Sequence, residues 1–131
     1  MLTTNKQLTL ELGDYNAVPV LPGVTIWQGA AVGLNATGHA RPLQRGDVFL
    51  GFAVERSGEY VRMISYGKME IRLPHVAAED LLRSVYMLDD ETFTFDAHGN
   101  SKVGHVCRYV SPGVCVIEFD LQLPAAPEKK N

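Results

Sequence analysis

Lys102-Val103-Gly104-His105-Val106-Cys107-Arg108-Tyr109-Val110, then Ser111-Pro112-Gly113, then Val114-Cys115-Val116-Ile117-Glu118-Phe119: two β-prone runs flank a turn tripeptide. Proline presets the dihedral of one central turn position, and glycine accepts the positive dihedral of the next, so a type II turn is expected. That turn sets Val110 opposite Cys115, Arg108 opposite Ile117 and Val106 opposite Phe119. Val106, Val110, Cys115, Ile117 and Phe119 then share one apolar face. Cys107 falls on the other face, opposite Glu118, so this register keeps the two cysteines apart.

The period of two recurs upstream. Met69, Ile71 and Leu73 alternate with Lys68, Glu70 and Arg72, as a strand with one wet face does. Val48, Leu50, Phe52 and Val54 alternate with Phe49, Gly51, Ala53 and Glu55. Both sets are mostly apolar, which predicts a central strand covered on both sides. Val61 to Tyr66 reads as another strand, joined to the next through Gly67. Val24 to Leu34 reads as a strand interrupted at Gly29 and Gly33. Thr92 to Phe95 is short and β-prone, and Asp96-Ala97-His98-Gly99-Asn100 is turn chemistry. His75 to Arg83 is the one helical stretch, one or two turns long, before a strand over Val85 to Leu88.

Length and composition agree with this reading. The chain has 131 residues, enough for one core, and twelve glycines and seven prolines leave little room for long helices. The expected fold is mainly β: a compact antiparallel barrel or sandwich with one short helix and extended arms. Residues 1–14 form the N-terminal arm, 15–120 the β-rich domain and 121–131 the C-terminal tail. No apolar run has the length of a membrane span, and no secretory pattern opens the chain. A formal charge of −3 with scattered Lys and Arg disfavours nucleic-acid binding. Two cysteines are too few for a disulfide scaffold.

No enzyme constellation emerges. His39, His75, His98 and His105 lack zinc-ligand spacing, and His105 with Cys107 is at most half a site. Asp89-Asp90-Glu91 reads as a solvated turn with Asp90 as its cap. Cys115 belongs to the apolar face and is expected to be inert. Arg56-Ser57-Gly58 resembles an element of trimeric dUTP pyrophosphatases, but the glycine-rich C-terminal motif of that family is missing. Catalytic, cofactor and metal sites are therefore expected to be none. Trp27, the single tryptophan, is either a core anchor or a contact residue.

Three stretches read together carry a family resemblance. They are Gly29-Ala30-Ala31-Val32-Gly33-Leu34-Asn35 leading to Ala40-Arg41-Pro42-Leu43; Asp47-Val48-Phe49-Leu50-Gly51-Phe52-Ala53; and Val85-Tyr86 through Asp89-Asp90-Glu91-Thr92-Phe93-Thr94 to Gly104-His105-Val106. In order and spacing they resemble the capsid cement, or head-decoration, proteins of tailed bacteriophages, over roughly residues 24–119. Met87-Leu88 and the two cysteines depart from the pattern. The resemblance implies a non-enzymatic β-domain on the outer surface of the virion head, assembled in the host cytoplasm. Its partners would be the major capsid protein and further copies of itself, as a homotrimer or alternatively a dimer. Expected contact residues are Thr3, Asn5, Gln7, Leu8, Leu10, Leu12 and Trp27. The alternating leucines suit a strand added to a capsid-protein sheet. The competing functions are a dUTP pyrophosphatase-like nucleotide hydrolase and a glycan-binding virion surface module.

Overall fold

A computed structural model describes residues 3–5 and 14–122. Ten strands make two antiparallel five-stranded sheets. The first sheet holds β1 (Tyr15–Pro19), β2 (Ala31–Leu34), β3 (Ala40–Pro42), β4 (Val48–Ser57) and β5 (Tyr60–Ile64), in the order β1-β5-β4-β2-β3. The second holds β6 (Tyr66–Arg72), β7 (Ser84–Met87), β8 (Phe93–Thr94), β9 (Ser101–Ser111) and β10 (Val114–Asp120), in the order β6-β10-β9-β7-β8. The mainly β expectation holds, as a sandwich and not a closed barrel.

β4 is central and covered on both faces, as its two-sided apolar pattern predicts. Its face assignment differs from simple alternation. Val32 pairs with Gly51 and Gly33 with Phe49, so Leu50 is an extra residue in β4. This bulge turns Phe49 and Phe52 to the same side. Both join the core between the sheets, with Val85, Val106, Cys115, Ile117 and Phe119 opposite. Leu50 and Ala53 face the other way, into a second core with Val32, Val61 and Met63. Val20, Ile26 and Ala30 roof that second core.

The β9–β10 hairpin carries two further bulges. Gly113 has φ 77°, and Ser111 pairs with Val114, as the expected turn requires. Beyond it, Cys115 pairs with Tyr109 and Ile117 with Val106, which leaves Val110 and Cys107 as extra residues in β9. Val110 is thereby expelled from the apolar face and is exposed, against the expected register. Cys115, Ile117 and Phe119 keep their buried face, and both thiols are free.

Three other expectations change. The joint between β5 and β6 is Ser65, and Gly67 lies inside β6. Ser65 is buried; its N–H donates to the Asp14 carbonyl at 2.6 Å, and its carbonyl accepts from Leu121 at 2.9 Å. The strand therefore passes from one sheet to the other without orphaning its peptide groups. Residues 24–30 form a loop, and only Ala31–Leu34 is strand. The helix expected over His75 to Arg83 shrinks to a 3₁₀ turn, Ala78–Asp80. Positive φ at His75 and Leu82 breaks it on both sides. Asp80 accepts the Ala77 N–H at 2.9 Å, and Leu82 and Arg83 then bond to Val106 across the chain instead of continuing a helix.

The two sheets meet at an aromatic cluster. Phe52 lies edge-on to Phe119 at 4.8 Å and to Phe49 at 5.1 Å between ring centroids. Truncating Phe52 leaves a cavity that both sheets line. Phe52→Ala is expected to lower the unfolding free energy by about 3–5 kcal/mol, measured by urea denaturation. A loss under about 1 kcal/mol would show that the cluster does not bind the sheets together.

Candidate interaction surface

Trp27 is the most exposed large apolar side chain among the described residues, at 73% of its full area. This overturns the core-anchor reading. The local reason is a tight turn: Ala30 donates its N–H to the Trp27 carbonyl at 3.1 Å, and Gly29 has φ 88°. The turn sends Ile26 and Ala30 into the core and leaves the indole between them facing water. The loop is fastened to β4 twice, through Gly29 N–H to Ala53 C=O and Ala53 N–H to Ala30 C=O, each at 2.9 Å. The tryptophan thus stands on a held platform.

The acidic turn lies beside it. The Asp90 carbonyl accepts the Ala31 N–H at 2.9 Å. Trp27, Gln28, Asp90 and Glu91 line a shallow recess of about 350 Å³. Asp89, not Asp90, caps this turn. One of its carboxylate oxygens accepts the N–H groups of Glu91 and Thr92 at 2.9 and 2.8 Å, and the other accepts the Thr92 hydroxyl. The Glu91 N–H, aided by the Thr92 donors, holds the Asp89 carboxyl below its ordinary pKa against a smaller desolvation effect.

The remaining expected contact residues are scattered. Thr3 and Asn5 are exposed, while Gln7, Leu8, Leu10 and Leu12 lie outside the described residues. Asp14 and Leu121 both bond to Ser65, which brings these two residues to one corner of the sandwich. Residues 121–131, expected as a tail, are described only as far as Gln122.

Several residues that looked like chemistry are fasteners. Arg56 donates to the carbonyls of Gly58 at 2.9 Å and Val24 at 3.3 Å, which ties the β4–β5 turn to the Trp27 loop. Among the described residues no three His, Cys, Asp or Glu side chains gather as a metal site. Burial, with a smaller effect of Asp80, raises the Cys115 thiol pKa.

An unforeseen clamp involves residues of the resemblance motif. Arg41 grips Asp47 with two bonds, at 3.1 and 2.8 Å, and Asp47 also accepts the Gln44 N–H. A Cβ on Gly33 would overlap the Asp47 carboxylate, so only glycine fits there. Asn35 caps the neighbouring β2–β3 turn through the N–H groups of Thr37 and His39. The sequence signal was the grouping of Gly33, Asn35, Arg41 and Asp47, which spacing alone does not resolve into bonds.

No protein-family model, no curated protein and no solved structure matches the chain. No helix among the described residues is long and apolar enough to cross a membrane.

The depressed Asp89 carboxyl has a pH consequence. Its share of stability is complete above the unfolded-chain value near 3.8 and is lost as the pH falls through the lower folded value. Carboxyl titration by NMR should place the Asp89 midpoint below 3.8. Asp89→Ala should remove that part of the acid dependence of unfolding. An Asp89 midpoint above 3.8 would refute the cap.

Proposed function

We propose that the chain is a capsid decoration protein of a tailed bacteriophage, binding the outer surface of the expanded head and performing no turnover. The observation that carries this reading is Trp27, exposed on a fastened loop just before the first resemblance stretch. An indole left 73% exposed offers its face to an interface, where tryptophan is a frequent hot spot. Asp90 and Glu91 beside it supply a polar rim.

The mechanism follows from linkage. A packaged genome presses outward on the shell. A protein that binds the expanded lattice and not its precursor stabilises the expanded state by mass action. Several modest contacts from one assembly add through effective concentration. The alternating Leu8, Leu10 and Leu12 would add a strand to a capsid-protein sheet, reaching out from the corner at Asp14.

Mixing the protein with expanded, undecorated heads and imaging them tests the reading. Saturable outer-surface occupancy is expected, with Trp27→Ala weakening it by about 30-fold or more. Thermal unfolding of that variant should be unchanged. Binding restricted to unexpanded heads, or absent altogether, would overturn the proposal.

The same exposed indole also suits a second reading, a glycan-binding virion module, because an aromatic face stacks on sugar rings. A glycan array separates the two. Retention of a defined sugar class that Trp27→Ala abolishes would favour the module; an empty array alongside head binding would favour decoration.

A further inference from the structure

Three of the four sheet edges are blunted. β1 ends on Pro19, β3 is three residues long and ends on Pro42, and β8 has two residues. Proline and shortness deny an incoming strand its ladder. β6 is the exception, with seven residues, no proline and an unbroken register against β10. The Ser65 carbonyl and the Leu73 N–H both bond towards the β10 side, to Leu121 and Gly113. Peptide groups alternate along a strand, so those of Tyr66, Lys68, Glu70 and Arg72 point away from β10. Among the described residues nothing pairs with them.

We propose that this edge pairs with the same edge of a second copy, antiparallel about a two-fold axis at Met69. An incoming antiparallel strand must match outward peptide groups with outward peptide groups, so even-numbered residues face even-numbered residues. Centred on Met69, Lys68 faces Glu70 of the second copy and Glu70 faces its Lys68. Tyr66 faces Arg72, a cation over an aromatic ring. On the inner face Gly67 meets Ile71, and the two half-buried Met69 side chains meet each other. All seven residues are paired, and the two sheets become one of ten strands.

Charge selects this register over its neighbours. A shift one way puts Lys68 against Lys68. A shift the other way puts Glu70 against Glu70 and Lys68 against Arg72. Like charges directly opposite destabilise a strand pair. Within the subunit, Glu70 faces Val116, Arg72 faces Val114 and Lys68 faces Glu118, yet none of Lys68, Glu70 and Arg72 makes an ion pair among the described residues. The alternating charges of an edge strand usually repel a partner's strand; here their order along β6 makes the edge complementary to itself. The proposal selects the dimer over the trimer, and it stands whether or not the chain decorates a shell.

Sedimentation velocity on the full chain provides the test. The wild type should sediment as a dimer of the 14.4 kDa subunit. Glu70→Lys sets lysine against lysine across the axis, and Lys68→Glu sets glutamate against glutamate. Each variant alone should weaken the dimer at least about tenfold, with the far-UV circular dichroism of the folded subunit unchanged. Mixed one to one, the two variants should form a heterodimer, because positions 68 and 70 then face opposite charges across the axis. A monomeric wild type, a trimer, a dimer indifferent to Glu70→Lys, or a mixture that stays monomeric would each overturn the proposal. If the wild type is monomeric and Leu10→Asp makes it dimerise, the N-terminal segment occupies the edge instead, and the proposal fails in favour of that occupant.

Discussion

The contact on which the fold depends is Phe52 against Phe119. It is the shortest ring pairing between the sheets, at 4.8 Å, and it sits where a residue of simple alternation would not. Without the bulge at Leu50, Phe49 and Phe52 would point to opposite faces. One face of β4 would then lose half of its aromatic surface, and the other would have to house a ring beneath the segment that supplies Val20 and Ile26. The bulge solves both problems, because it gives the sandwich core its rings and the outer core its smaller side chains. Buried area of this size contributes the main favourable term in a domain of 131 residues.

A second constraint follows from the first. Two sheets packed this tightly must share a strand or be linked by loops, and here β5 runs straight into β6 through Ser65. A peptide at such a corner cannot keep both its groups in one ladder. Ser65 divides them, giving its N–H to Asp14 and its carbonyl to Leu121. Asp14 and Leu121 are placed by the same act. Arg62 over the Tyr15 ring, at 4.5 Å, adds a local hold on β1 beside the corner.

Much of the architecture was legible in the period of the sequence. The wet face of Lys68, Glu70 and Arg72, the two-sided burial of β4 and the turn at Pro112-Gly113 follow from residue type and spacing. Bulges were not legible. A single extra residue at Leu50, Cys107 or Val110 inverts every face beyond it, yet nothing in the residue itself announces it. Val110 was read as core for that reason. The fate of Trp27 was hidden differently. Its neighbours Ile26 and Ala30 look alike in a linear reading, and only the turn at Gly29 decides which of the three is left outside. The 3₁₀ turn failed as a helix because Leu82 and Arg83 found partners on Val106, a residue distant in sequence.

The residues that carry the family resemblance have structural duties in this chain. Gly33 makes room for Asp47, Asp47 holds Arg41, Asn35 closes a turn, and Asp89 closes another. Such a set supports the fold, because each member is held by contacts within the subunit. Recognition must then be sought in groups whose capacity is unspent. The Trp27 indole is one, and the outward peptide groups of Tyr66, Lys68, Glu70 and Arg72 are another. Both lie outside the quoted motifs. A domain built this way can keep its fasteners and vary its contacts independently, which is the division of labour a surface-binding module requires.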